Sequence, residues 1–191
     1  MEFVEEQEVY EVLQKYGVRQ ESVDDSDELV HLRMTGDEDV TQVLVRPDDG
    51  AASTDGAREV VVARDRIPAM VNDLIHALNF NQVVLIPVGK WQQVFDCVAF
   101  SLAENEAWTE VDAAATVELK RRDPLLFESA DFHTLEALLR ALAQDADEPG
   151  QGVMITTPTA PIIFEIVPDL ALRIEVGNPV LADELLEVLQ A

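Results

Sequence analysis

The feature that most constrains this fold is a run of four apolar residues, Val83-Val84-Leu85-Ile86, near the middle of the chain. A half-buried strand alternates apolar and polar residues, because successive side chains point to opposite faces of the sheet. A strand of apolar residues without alternation is typical of a position buried on both sides. The sequence therefore predicts a central strand with both of its faces covered.

Amphipathic helices are predicted before and after this strand. Apolar residues recur at helical spacing in residues 4–16, in a segment that begins at Pro68, and in residues 91–104. Asp131 is predicted to cap a fourth helix, and Asn178 a final one. The fourth helix has the clearest apolar stripe, which consists of Leu135, Leu138, Leu139 and Leu142. These helices each need an apolar surface to cover.

Short alternating or apolar runs predict the remaining strands. They are residues 28–35, 40–46, 60–62, 114–120, 153–157, 162–167 and 170–176. Residues 48–56 are rich in Asp, Gly, Ala and Ser and predict a loop, whereas residues 167–170 predict a tight turn. The elements then run α-βββ-α, β-α-β and α-βββ-α. This order predicts an α+β fold, a mainly antiparallel sheet with helices packed on it.

The 191 residues suit a single α+β domain, 1–191. Because the two outer units share one order, a division into pseudo-duplicated lobes, 1–110 and 111–191, stays open. The α-βββ-α order resembles that of the small acidic chaperones of type III secretion. The resemblance implies a dimer that binds extended segments of client proteins.

The chain is strongly acidic, with 38 acidic and 13 basic residues and a net charge of −25. We expect no direct binding to nucleic acid, because contacts with phosphate groups need a basic face. Two interpretations remain: the charge attracts a basic partner, or it keeps the protein soluble in a salty cell. The scarcity of lysine, three residues against ten arginines, fits the second interpretation.

Neither a membrane segment nor a leader is predicted. No apolar run reaches the roughly 18 residues that span a bilayer, and the first six residues are too acidic for a signal peptide. We therefore expect a cytoplasmic protein. The single cysteine, Cys97, excludes an internal disulfide and zinc sites built on paired cysteines.

No catalytic constellation or metal motif is visible. Cys97 lies beside Asp96 among apolar residues, which predicts a buried, unreactive thiol. His31, His76 and His133 form no metal-binding pattern and are predicted at the surface. The acidic groups at 24–28, 37–39 and 145–148 do not match a calcium loop. We therefore predict no catalytic residues, no metal and no cofactor.

One ligand site is predicted, at Gly89, Lys90 and Trp91. Here a buried strand ends and a helix begins, a turn whose free N–H groups attract anions. A nucleotide-binding P-loop is excluded, because Trp91 stands where the motif needs Ser or Thr. The one basic cluster, Lys120-Arg121-Arg122, is predicted to form salt bridges within the chain or across a dimer.

Two hypotheses of function follow. The favoured one is a non-enzymatic protein-interaction module, adaptor or chaperone-like, whose partner is another protein or a second copy in a homodimer. The alternative is a protein or enzyme that binds a small molecule or anion at Gly89-Lys90-Trp91. Under the alternative, Lys90→Ala abolishes stabilisation by the ligand.

Overall fold

Ten strands and six helices make up the regular structure of the described part of the chain. The computed structural model describes residues 1–23, 28–36, 40–48, 57–168 and 171–190. The strands are β1 (Glu2–Phe3), β2 (Val18–Ser22), β3 (Val30–Met34), β4 (Thr41–Pro47), β5 (Arg58–Val62), β6 (Gln82–Pro87), β7 (Leu125–Glu128), β8 (Val153–Thr157), β9 (Ala160–Val167) and β10 (Ala171–Val176). The helices are α1 (Glu6–Lys15), α2 (Ile67–Ala77), α3 (Trp91–Val98), α4 (Glu106–Ala114), α5 (Phe132–Asp145) and α6 (Pro179–Gln190).

Eight of the strands form one sheet in the order β1-β7-β6-β8-β9-β10-β4-β5. All neighbours are antiparallel except β4 and β5, which run parallel. Strands β2 and β3 form a separate antiparallel hairpin. The predicted α+β class, a mainly antiparallel sheet with helices packed on it, is confirmed.

The sheet carries a layer on each face, as the apolar run of β6 predicts. Val83 and Leu85 belong to a core formed with helices α2 to α6, the helical side of the sheet. Val84 and Ile86 belong to a second core formed with α1 and the β2–β3 hairpin, the hairpin side. Each layer thus covers one face of the same strand.

The final helix begins as predicted. The Asn178 side-chain oxygen accepts hydrogen bonds from the N–H groups of Val180 and Leu181, at 2.9 and 3.2 Å. These are orphan donors in the first turn of α6. Pro179 is the first residue of that helix. A side-chain cap and a proline are local signals, so the sequence alone predicts this boundary well.

The strand predicted at residues 114–120 is wrong. Helix α4 ends at Ala114, and Glu118–Lys120 form a short 3-10 turn. The Glu118 carboxylate accepts hydrogen bonds from the N–H groups of Thr116 and Val117, at 3.0 Å each. Because these donors are satisfied locally, the segment does not join a ladder. The neighbouring strand of β6 is instead β7, and the third helix ends at Val98 rather than at 104.

The proposed lobes share one sheet. Strand β6, before residue 110, pairs with β7 and β8, which both follow it. The division at residue 110 stays a prediction. The acidic groups at 24–27 and 37–39, most of the loop 48–56 and half of the turn 167–170 lie outside the described residues. Within the described ranges, no helix has the length and apolar character needed to cross a membrane.

Candidate functional site

A charged cluster lies between the hairpin and the sheet, centred on Glu165 of β9. Its neighbours Phe164 and Ile166 point into the core of the helical side, so the pleat turns Glu165 to the hairpin side. There its side chain is only 1% exposed. Arg33 and Arg173 contact one of its oxygens through Nη1, at 3.2 and 3.4 Å. His31 Nδ1 contacts the other oxygen.

These neighbours hold Glu165 in its charged form. Burial on its own raises the pKa of a carboxyl group, because the charged form loses its hydration. The close contact with His31 and the charges of Arg33 and Arg173 outweigh burial and hold the pKa of Glu165 below its usual range. Glu165 therefore serves as a fixed negative charge that orients the two guanidinium groups.

A second buried glutamate, Glu175 of β10, fastens the hairpin beside this cluster. Its Oε2 accepts the backbone N–H of Met34 at 2.9 Å. Its Oε1 lies 3.7 Å from Arg33 Nη1 and 3.5 Å from the amide nitrogen of Gln42. Arg33 is thus held between two carboxylates, one on each of two adjacent strands.

Two adjoining hollows open next to this cluster. One, of about 380 Å³, is lined on its apolar side by Leu44, Val167 and Ala171, and by Arg173. The other, of about 450 Å³, is lined by Arg19 and Glu21 of β2 together with Met34 and Val40. Both hollows are also lined by Arg33, Gln42, Ala57 and Glu175. We call the combined space the arginine cleft.

The arginine cleft brings arginines together in an acidic molecule, and each of them is paired with a carboxylate of Glu21, Glu165 or Glu175. It contains three of the ten arginines of the chain, Arg19, Arg33 and Arg173. Among the described residues, Arg33 and Arg173 use only Nη1 for their hydrogen bonds. A guanidinium carries five N–H donors, so both retain donors for a further acceptor. Arg19 pairs with Glu21 at 2.5 Å near the surface.

The predicted site at Gly89, Lys90 and Trp91 has a different geometry from the one expected. The N–H groups of Gly89 and Trp91 donate to the carbonyl oxygens of Gly150 and Arg121, at 3.2 and 3.3 Å. The Lys90 N–H donates to the Gln93 side chain at 3.0 Å. Because protein acceptors take all three donors, the reason given for anion binding does not hold.

Trp91 itself is a core residue at this turn. It is fully buried, and its indole N–H donates to the carbonyl oxygen of Asp123 at 2.7 Å. Lys90 is exposed. Ligand binding by these three residues stays a prediction.

The other candidate residues each have separate contacts of their own. His76 packs edge-on against Phe132, with ring centroids 5.6 Å apart, and His133 Nδ1 lies 3.0 Å from the Ala130 carbonyl oxygen. Cys97 is half-buried rather than buried as predicted, and this burial, together with Asp145 and Asp147, raises the pKa of its thiol. Among the described residues, no group of three or more His, Cys, Asp or Glu side chains is placed to hold a metal ion.

The sequence analysis missed the cluster because His31 and Arg33 of β3 are far in sequence from Glu165, which is 132 residues after Arg33. His31 was predicted to be a surface residue, but its ring packs against a buried carboxylate. One local signal existed: Glu165 is a lone charge within the apolar stretch 162–167. A buried charge requires a partner. Only the fold shows that the partners are on β3 and β10. Of the basic cluster at 120–122, Arg122 donates to the carbonyl oxygen of Glu28.

Comparisons with protein families, with curated proteins and with solved structures found no match for this chain. The resemblance to type III secretion chaperones therefore stays one of element order alone.

Proposed function

We propose that the protein binds a small organic anion in the arginine cleft. The observation that carries the proposal is the convergence of Arg19, Arg33 and Arg173 on one cleft in a chain of net charge −25. A guanidinium matches a carboxylate or phosphate with two parallel N–H donors. The remaining donors of Arg33 and Arg173 supply such a pair.

The size and lining of the cleft favour a carboxylate on a short apolar body. The two hollows, about 380 and 450 Å³, fall within the range of roughly 300 to 1,000 Å³ that small-molecule sites occupy. Leu44, Val167 and Ala171 offer apolar contact at one end. Arg19 and Glu21 make the other end polar. A ligand that lies along the cleft places its anionic group against Arg33.

The buried glutamates support the proposal by holding the arginines in place. Glu165 contacts Arg33 and Arg173, and Glu175 contacts Arg33. A site whose side chains are already ordered loses less entropy when a ligand binds. The guanidinium groups are therefore pre-organised for an anion.

We assign the cleft a binding role rather than a reaction. The favoured role as a non-enzymatic interaction module, the homodimer and the cytoplasmic location stay predictions. Under this proposal the arginine cleft binds a small anion and not an extended segment of another protein.

The test uses three probes: benzoate, octanoate and inorganic phosphate. Each is titrated into the purified protein while the melting temperature and the heat of binding are measured. We expect the two carboxylates to raise the melting temperature more than phosphate does. At 100 times the dissociation constant, a ligand stabilises by about 2.7 kcal/mol, which is roughly 5 to 10 °C for a chain of this size.

The variants are Arg19→Gln and Arg173→Gln, with Arg140→Gln as the matched control. Arg19 and Arg140 are 59% and 54% exposed, and each forms one ion pair, so substitution perturbs the fold equally little. We expect the two cleft variants to weaken carboxylate binding about 5-fold or more, and the control to bind normally. Equal affinity in all three variants, or no stabilisation by any probe, rejects the proposal.

A further inference from the structure

Phe100 is the most exposed large apolar residue of the described chain. It lies in the turns between α3 and α4, and its side chain is 94% exposed. Its aromatic neighbours in sequence behave differently: Phe95 and Trp108 stack in the core with ring centroids 4.5 Å apart. The turn therefore leaves Phe100 outside a core that takes the aromatic residues on either side.

Phe100 borders a hollow of about 690 Å³ at the end of helix α5. The hollow is lined by Cys97, Ala103, Glu104, Gln144 and Asp145 as well as Phe100. The Ser101 hydroxyl donates to Asp145 at 2.5 Å and thereby links the turn to α5. We call this space the Phe100 hollow. Because α3 and α5 belong to the helical side of the sheet, the hollow and the arginine cleft lie on opposite faces.

The Phe100 hollow combines three features that attract a cation. Glu104 and Asp145 place two carboxylates in its wall. Helix α5 ends at Asp145, and the C-terminal end of a helix carries a partial negative charge. The face of an aromatic ring also attracts ammonium and guanidinium groups. The negative field reaches Cys97, whose thiol pKa is raised by burial and by Asp145 and Asp147.

We propose that the Phe100 hollow docks a cationic, partly apolar segment of a partner protein. A lysine or arginine of the segment places its charged group between Glu104 and Asp145. Its aliphatic stem and the apolar side chains of the segment cover the ring of Phe100. The proposal does not depend on the anion site, which lies on the other face of the sheet.

Charge complementarity selects this occupant over a second copy of the chain. In a twofold dimer the same patch lies on both sides of the interface. The carboxylates of the two copies would then be brought into one interface, and like charges across an interface oppose association. A basic segment meets the opposite sign in the same place.

The probe is a fluorescein-labelled ten-residue peptide in which arginine and leucine alternate. Its control has glutamine in place of every arginine. Binding to the full chain is measured by fluorescence anisotropy at about 0.15 M salt, where the Debye length of about 8 Å screens the general attraction of a basic peptide to an acidic protein. We expect the arginine peptide to bind and the glutamine peptide to bind far more weakly.

Phe100→Ala is the decisive variant, and Val180→Ala is its control. Val180 of α6 is also exposed, at 68%, so the control removes surface apolar area elsewhere. We expect Phe100→Ala to weaken arginine-peptide binding about 10-fold or more, because the ring no longer offers apolar surface to the arginine stem and the leucines, and Val180→Ala to leave it unchanged. Asp145→Asn weakens binding as well, whereas Asp183→Asn on α6 does not.

Three results overturn the proposal. The first is equal affinity of Phe100→Ala and Val180→Ala for the arginine peptide. The second is equal binding of the arginine and glutamine peptides. The third comes from sedimentation equilibrium: if Phe100→Ala converts a dimer into a monomer, the hollow is a contact between copies of this chain.

Discussion

A single glutamate interrupts the apolar sequence of β9, and it determines how the hairpin side of the sheet is charged. Glu165 is the only charged residue of that strand, and its carboxylate contacts His31, Arg33 and Arg173. Removing one partner from a buried ion pair costs more than the pair contributes, because it leaves the other charges uncompensated. The cluster is therefore sensitive to substitution at its centre.

We predict that Glu165→Gln lowers the free energy of unfolding by about 3 kcal/mol, the order expected when one buried partner is removed. The amide fills the same space but removes the counter-charge of Arg173 and one of the two carboxylates that hold Arg33. Urea unfolding followed by circular dichroism measures the change. Glu184→Gln, an exposed position on α6, should change the free energy by less than about 0.5 kcal/mol. A loss at Glu165 no larger than at Glu184 contradicts the prediction.

The same residue makes stability depend on pH in the acid range. The pKa of Glu165 in the fold lies below the ordinary glutamate value of 4.5, so the unfolded chain takes up this proton first as the pH falls. Its contribution is complete above about pH 4.5 and is lost as the pH falls through its lower pKa in the fold. Unfolding measured between pH 3 and 6 should show a steeper acid loss in the wild type than in Glu165→Gln. Equal slopes would exclude Glu165 as the cause.

At the scale of elements, the β2–β3 hairpin docks onto the sheet through side chains instead of a strand ladder. The register of the hairpin turns the N–H groups of Val30, Leu32 and Met34 away from β2. Leu32 donates to the sulfur of Met154 at 2.9 Å, and Met34 donates to Glu175. Leu32 and Met34 are thus each satisfied by one identified side chain of the sheet, whereas Val30 donates to the backbone carbonyl oxygen of Val88 at 2.9 Å.

This arrangement predicts selective effects on amide hydrogen exchange. Glu175→Ala should speed exchange at Met34 about 5- to 10-fold, the effect of losing roughly 1 kcal/mol, and leave Leu32 protected. Met154→Leu, which keeps the volume of this buried residue and removes its sulfur, should do the reverse. Each variant serves as the control for the other. Nuclear magnetic resonance measures the exchange rates of both amides in one experiment. Uniform acceleration across the hairpin in either variant would show that the hairpin is fastened as a whole and not by these bonds.

At the scale of elements, the sequence predicted correctly those features that depend on residues adjacent in the chain. The burial of β6 on both faces and the Asn178 cap follow from adjacent residues, and both were predicted. The segment 114–120 alternates like a strand, but the Glu118 side chain satisfies its N–H groups and the alternation misleads. The arginine cleft could not be predicted, because it needs Arg19, Arg33 and Arg173 to meet, and only the pairing of strands brings them together.

For the whole molecule, net charge dominates the response to salt. An accessible surface of 9726 Å² carries 25 excess negative charges, or about one per 390 Å². At 0.01 M salt the Debye length is about 30 Å and these charges repel one another, whereas at 0.15 M it is about 8 Å. We predict that the melting temperature rises between these two concentrations of sodium chloride.

A variant separates this general repulsion from local pairing. Replacing Asp183, Glu184 and Glu187 of α6 by their amides removes three exposed charges without touching the Glu165 cluster. The rise in melting temperature with salt should be smaller in this variant. A wild-type melting temperature that stays constant or falls with salt would rule out repulsion as a significant term.

The pairing of β4 with β10 has a consequence for how the chain folds as it is made. Val45 pairs with Leu172. A strand from the first quarter of the chain therefore cannot form this ladder until a strand from the last quarter has been synthesised. Until β10 leaves the ribosome, β4 and its parallel neighbour β5 have no place in the sheet. Such long-range pairing has a high loop-closure entropy and slows folding. During synthesis these two strands expose open edges, so this interval is when the nascent chain is most prone to aggregate.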